Sequence, residues 1–319
     1  MDDWNVAAAG ERLQAAKTVS IVSHLRPDGD AVGSALGLAL ALEAAGKQVT
    51  VALADGVPSS FRHLPGAERV VAQGDPQADC KVMVDCGDIT RGGAAWQPDW
   101  PVDINIDHHK TNTRFAAVNI VAPEAVATAA MLAELLPQWG FEITPEVASA
   151  LLTGMLTDTI GFRTSNMTSQ ALRLAADLVD KGAPLSELYF KALVERSFEA
   201  LRYWGQGLSR IQREDRLVWT SLTLEDRKIS GYTGNDDADL VGYLVTVRGA
   251  AIGVIFVEQP DGTVKVSWRA RPGWDVSQIA VRFGGGGHAP AAGATIPGTL
   301  EDVQSAVLTA TRELLTDTL

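Results

Sequence analysis

Along the first half of the chain, short β-branched apolar runs alternate with longer stretches whose apolar residues recur at helical spacing. Runs over 19–23, 49–53, 81–84 and 102–106 predict buried strands, and 31–45, 124–139 and 146–157 predict helices. Such alternation predicts a parallel sheet with helices on both faces, because parallel neighbours need a crossover connection. Thr168-Ser169 reads as the cap of a helix that stops at Gly182-Ala183-Pro184. A longer helix is expected over 185–204, with Leu188, Leu193 and Leu201 among charges. After about Gly205 the pattern turns to strands over 217–222, 251–258 and 264–271, the last following a Pro260-Asp261-Gly262 hairpin turn. An amphipathic helix over 300–315 follows. The expectation is an α/β chain with a parallel-sheet domain over 1–184, a connector helix over 185–206 and a smaller α+β domain over 207–319.

Composition narrows the function classes. The 319 residues are 46% apolar and 21% charged, an ordinary globular balance with room for two cores. A net charge of −12 excludes a general basic surface for long nucleic acid, duplex included. An anionic substrate would therefore need a local reversal of the field, by divalent metal and a few arginines. Cys80 and Cys86 form no CxxC and read as small buried thiols in a reducing compartment. The opening Asp2-Asp3 carries no signal-peptide pattern, and the longest apolar run, between Asp30 and Glu43, is too short to span a bilayer. A soluble, cytoplasmic protein without a membrane partner is expected.

The informative feature is where acids and histidines fall. His24 follows the first strand directly, with Asp28 and Asp30 close behind. Asp85 ends the strand over 81–84, Asp107-His108-His109 ends the strand over 102–106, and Asp158 follows the apolar helix over 146–157. In an open parallel sheet the carboxyl ends of the strands share one edge, where ligands bind. Acids gathered there would repel one another unless a cation lay between them. A mixed carboxylate and imidazole set favours a first-row ion such as Mn²⁺ over an all-oxygen Mg²⁺ or Ca²⁺ site. Two ions roughly 4 Å apart could share one carboxylate, clamp a phosphoryl group and activate water. Asp85, alone on its strand between the other groups, is the natural bridge. His63 lies away from these clusters and reads as structural.

The stretches His24-Leu25-Arg26-Pro27-Asp28-Gly29-Asp30-Ala31-Val32-Gly33-Ser34, Val84-Asp85, Asp107-His108-His109 and Asp158-Thr159 resemble the four motifs of the DHH phosphoesterase superfamily. The resemblance implies two Mn²⁺ ions, with Mg²⁺ or Co²⁺ as substitutes. It implies His24, Asp28 and Asp85 on one ion, and Asp30, Asp85, His108 and Asp158 on the other. His109 would then face the substrate phosphate, and Asp107 would orient His108 or its neighbours.

In the second half, strand geometry places Ser267, Arg269 and Arg271 on one face and Val266, Trp268 and Ala270 on the other. Two guanidiniums and a hydroxyl at alternate positions suit an anion. Gly284-Gly285-Gly286-Gly287-His288 and the following Ala289-Pro290-Ala291-Ala292-Gly293-Ala294 resemble the substrate-binding loop of the DHHA1 domain, which implies Gly285, Gly286, Gly287 and His288 as substrate contacts. Some relatives have serine at the position of Ala270 and a basic or polar residue at that of Ala289. Gly161-Phe162-Arg163-Thr164-Ser165-Asn166 also resembles the nanoRNase-type pattern, with Arg163 a candidate substrate contact and Phe162 a core residue.

The resemblance to the nanoRNase and pAp phosphatase subfamily implies hydrolysis of short RNA oligonucleotides, of dinucleotides such as pApA or cyclic dinucleotides, or of the 3′-phosphate of pAp. Homodimers are common among similar proteins, so a second copy of the chain counts among the expected partners. A family II pyrophosphatase-like hydrolase, a RecJ-like single-strand exonuclease and a non-catalytic nucleotide sensor are the rival readings.

Overall fold

The computed structural model describes residues 3–316, so Asp2 lies outside the described residues. The chain divides between Glu195 and Arg196 into two compact units.

The first unit holds five strands: β1 (Thr18–Val22), β2 (Gln48–Ala52), β3 (Cys80–Val84), β4 (Ile104–Asp107) and β5 (Val118–Val121). All pair in parallel, in the order β2-β1-β3-β4-β5. Its helices are α1 (Asp3–Ala15), α2 (Gly29–Ala44), α3 (Thr128–Gln138), α4 (Pro145–Asp158), α5 (Ser169–Asp180) and α6 (Leu185–Tyr189). Val19, Ile21, Val82, Val84, Ile104 and Ile106 join α1 to α6 in the main core. The opposite strand residues Val22 and Met83 pack with Trp96 and Ala95, under a 3₁₀ segment over Ile89–Ala95. Strand β5, only four residues long, was not expected from the apolar pattern.

Helix α2 is apolar nearly all round, the signature of a helix enclosed by others. It lies against α4 at a glycine seam. A Cβ on Gly33 would stand 2.5 Å from the Ala150 carbonyl oxygen and 2.8 Å from the Gly154 nitrogen. A Cβ on Gly154 would stand 2.6 Å from that of Ala129. Only glycine permits this approach, which brings the start of α2 and the end of α4 together.

Residues 185–204 do not form a single helix. After α6 the chain makes a π-helical turn over Phe190–Val194, and Glu195 is extended, with φ −62° and ψ 130°. A new helix, α7 (Phe198–Ser209), then starts under Ser197, whose side chain accepts from the Ala200 N–H. Local capping by Ser197 outcompetes helix continuation.

The second unit is a mixed sheet of β6 (Gln212–Glu214), β7 (Leu217–Leu222), β8 (Ile252–Glu258), β9 (Thr263–Ala270), β10 (Gly286–His288) and β11 (Ala291–Pro297). The order is β10-β11-β9-β8-β7-β6, antiparallel throughout except for β7 with β8. Its helices are α7, α8 (Leu224–Ser230), α9 (Val241–Leu244), α10 (Ser277–Arg282) and α11 (Leu300–Thr316). One core gathers Val254, Phe256, Val266 and Trp268 with α10 and α11. The other gathers Ile255 and Val257 with Tyr203 and Trp204 of α7. The Asp261-Gly262 turn forms as expected, with Gly262 at φ 78° and Asp261 accepting from the Thr263 N–H. No described helix is long and apolar enough to cross a membrane.

Candidate metal centre

The strand order changes direction between β1 and β3, and a crevice opens at the carboxyl ends of strands wherever order reverses. His24, just past β1, and Asp85, just past β3, meet there: His24 Nε2 lies 3.5 Å from Asp85 Oδ2. Asp85 holds a left-handed backbone (φ 52°), a strained conformation of the kind found where function demands it.

The other predicted residues converge on this pair. Asp28 caps α2, its Oδ1 accepting from the N–H groups of Asp30 and Ala31 at 3.0 Å, and lies 3.9 Å from His24 Nε2. His108 Nε2 lies 3.9 Å from Asp30, 3.7 Å from Asp85 and 3.5 Å from Asp158. Three groups therefore bring their donor atoms within 4.8 Å of one another: His24 with Asp28 and Asp85, Asp30 with His108 and Asp158, and Asp85 with His108 and His109. Asp107 accepts from His109 Nδ1 at 2.7 Å, so the imidazole it orients is that of His109, whereas His108 Nδ1 faces the Ala125 carbonyl at 3.3 Å.

The electrostatics point to an unmet need for cations. Burial, together with the charges of Asp85, Asp158 and Asp28, pushes Asp30 well above the usual carboxyl range. Burial likewise raises Asp158 to about 6, against the pull of His108. Burial also opposes ionisation of Asp85, but its contact with His24 and the charges of His108, His24 and His109 outweigh that and hold it at about 2. His109 rises to about 9 through its bond to Asp107. Burial and mutual repulsion thus work against several of these carboxylates at once. Divalent ions would offset that repulsion, and imidazole nitrogens beside carboxylate oxygens suit them chemically.

Several contributors were not anticipated. Thr128, opening α3, donates its N–H to Asp30 at 2.6 Å and its hydroxyl to Asp85 at 3.0 Å, while the Ala129 N–H reaches Asp30 at 2.9 Å. A helix N-terminus thus aims amide donors at a buried carboxylate. Asn112 donates to Asp107 at 2.6 Å and to Asn105 at 2.8 Å, fixing the carboxylate that orients His109. The Thr128 and Ala129 contacts join segments distant in sequence, whereas Asn112 follows Asp107 closely and its role is set by the fold of the intervening loop.

The remaining predicted residues fall elsewhere. Arg163 is exposed, its Nε donating to the Ile160 carbonyl at 3.1 Å, and Phe162 packs against the first unit's core. His63 is part-buried, and its ordinary value is lowered first by that burial. Cys80 and Cys86 are buried free thiols, each pushed up by burial to about 12.

In the second unit, Gly286–His288 is a short edge strand rather than an open loop. A Cβ on Gly287 would stand 2.5 Å from the Ala291 carbonyl oxygen, and one on Gly285 would collide with Gly293, so the glycines let β10 lie against β11. The register aligns His288 with Ala291 and Ala291 with Arg269; on the same face Gly286 aligns with Gly293 and Gly293 with Ser267. Ser267, Arg269 and His288 therefore share one face. Arg271 lies past the end of β9, its guanidinium bonded to the carbonyls of Val245 and Val247.

Known proteins agree with this architecture. The model of the DHH family, N-terminal domain, matches residues 18–155, and that of the DHHA1 domain matches residues 227–316. The bifunctional oligoribonuclease and PAP phosphatase NrnA of Thermus thermophilus is 39% identical over 302 residues, covering 93% of this chain and 90% of its own. Its counterpart in Bacillus subtilis is 26% identical, covering 88% and 89%. The crystal structure of an exopolyphosphatase-related protein from Bacteroides fragilis superposes with a TM-score of 0.90 at 25% identity, covering 99% of this chain and 96% of that one. On that full-length similarity and both matched domains, the chain belongs to the DHH family, with a DHHA1 domain following the DHH domain.

Proposed function

We propose that this protein is a Mn²⁺-dependent phosphoesterase that hydrolyses short oligoribonucleotides, dinucleotides such as pApA, and pAp. The observation that carries the reading is the set of three donor groups joined through Asp85 and His108, in which buried carboxylates lack enough positive charge. His24, Asp28 and Asp85 would hold one ion, and Asp30, Asp85, His108 and Asp158 the other. When bound, the ions would supply positive charge and lower the pKa of water enough to provide hydroxide as the nucleophile near neutral pH. Full-length similarity to proteins named oligoribonuclease and PAP phosphatase supports this substrate class.

The chain's own groups do the rest. Asp107 holds Nδ1 of His109, so the imidazole presents Nε2 to a non-bridging phosphate oxygen and stabilises charge as it builds there. Ser267, Arg269 and His288, on one sheet face beside the glycine strand, hold the nucleotide, with Arg271 and Arg163 as further contacts. The metal-holding residues would then belong to the unit that ends at Glu195, and Ser267, Arg269 and His288 to the unit that begins at Arg196. A net charge of −12 restricts substrates to those a local site can hold, which disfavours long duplexes.

The test is a panel: purified protein with Mn²⁺ against pAp, pApA, cyclic di-AMP and RNA from two to 24 nucleotides, followed by metal analysis. Release of mononucleotide from the shortest substrates is expected. Binding of dinucleotide with no product at any length would make the protein a nucleotide sensor and overturn the proposal.

A further inference from the structure

Arg271 directs its guanidinium to the turn that follows α9. There Nε donates to the Val245 carbonyl at 3.1 Å and Nη2 to the Val247 carbonyl at 3.2 Å. Arg213, on the β6–β7 hairpin, reaches the same turn. Its Nε donates to the Asp215 carbonyl at 3.0 Å, and its Nη2 lies 2.9 Å from where a Cβ on Gly249 would stand. Gly249, at φ 81°, leaves that room, and Arg248 adjoins it, exposed.

Among the described residues no ion pair engages Arg213, Arg248 or Arg271, whereas the nearby Glu214 is taken by Arg312 at 2.9 Å. A guanidinium offers five N–H donors, and backbone carbonyls use only one or two of them here. Arg213 and Arg271 are thus held in place without being neutralised, and three like charges gather on a chain whose acids outnumber its bases 39 to 27. Planar guanidiniums with spare donors match phosphate oxygens in pairs.

We propose that this arginine-bordered turn binds the phosphodiester backbone of a single-stranded oligonucleotide. The inference rests on oligoribonucleotides being the substrate class, and it adds a contact surface for strands longer than a dinucleotide. Three charges serve about as many phosphates, which suits a short single strand and falls far below the contacts a duplex-binding surface makes.

The experiment compares wild type with the double variant Arg213→Glu/Arg248→Glu, both sites exposed, after circular dichroism has confirmed equal folding. Binding of a fluorescent 12-nucleotide RNA is followed in EDTA across a salt series, and turnover of pApA is followed with Mn²⁺. We expect 12-mer affinity to fall at least tenfold at low salt. The slope of log affinity against log salt should become shallower by about 1.4, at ~0.7 per lost phosphate contact on a single strand. Turnover of pApA should stay within twofold of wild type. Equal affinity and slope in the two proteins, or no 12-mer binding by wild type, overturns the proposal. If wild type fails to turn over pApA while 12-mer binding still depends on these arginines, the activity reading fails and the arginine surface stands.

Discussion

Asp30 and Asp226 are both aspartates with almost no solvent access, at 1% and 4% exposure, yet the two units treat them oppositely. Asp226 accepts from two Arg210 nitrogens at 2.6 and 2.7 Å and closes a capping box with Thr223. Burial opposes its ionisation, but Arg210 and Thr223 prevail and hold it below the usual carboxyl range. Asp30 receives backbone and hydroxyl donors from Thr128, Ala129 and Ser34, but its charged neighbours are mostly other carboxylates. The first arrangement is complete within the chain. The second gathers buried carboxylates and imidazoles in groups that could hold a cation from outside. Burial alone does not mark a functional acid; burial without a matching cation does.

The largest effect expected from breaking this contrast is at Asp85, the carboxylate common to two of the three donor groups. Asp85→Asn keeps the side-chain shape and tolerates the left-handed backbone. It removes the charge that two ions would share. Turnover of pApA should fall roughly a thousandfold or more, about 4 kcal/mol of barrier. Bound manganese, measured by elemental analysis, should fall with it, while thermal unfolding of the metal-free protein stays close to wild type. Retained activity would remove Asp85 from the site.

Arg210→Ala tests the opposite pole. It strands a buried carboxylate, so stability should drop by about 2 kcal/mol, less than the ~3–5 kcal/mol of a fully buried pair because Arg210 is 36% exposed. In calorimetry the unfolding transition of the second unit should move down by about 6 °C. Metal content should not change. A variant that unfolds like wild type would show that this pair contributes nothing to the fold.

How much of this was legible in the sequence follows from the same contrast. Strands β1, β3 and β4 read clearly because parallel strands buried on both faces are continuous apolar runs. The acids and histidines at their ends were legible because strand ends in such a sheet share an edge. What failed to show was anything set by register or by competition between local options. Thr128 and Asn112 meet Asp30, Asp85 and Asp107 only after folding. The break before α7 hides in a helical apolar pattern because a serine cap leaves spacing unchanged. Strand β10 was unreadable because glycines carry no side chain to alternate.

The smallest effect separates the two kinds of acid by the sign of their pH dependence. Asp226, held below its unfolded value, contributes stability above the usual carboxyl range and loses it as pH falls through the folded value. Asp158, raised by burial to about 6, does the reverse in the metal-free protein. Between its unfolded value near 4 and about 6, the folded state binds more protons than the unfolded state, so stability declines as pH rises across that window. Asp158→Asn carries no such charge and should escape the decline. Measured in EDTA by denaturant titration, the variant should gain on wild type by about 1 kcal/mol from pH 4 to 6, with no further gain above. That figure sits below the ~2.7 kcal/mol that two full units would carry because the Asp158 side chain is 30% exposed. Adding Mn²⁺ should reverse the order, because wild type then gains binding energy that the variant cannot. If the two proteins track one another across pH in EDTA, the carboxylates of the first unit are already balanced within the chain, and the contrast with Asp226 disappears.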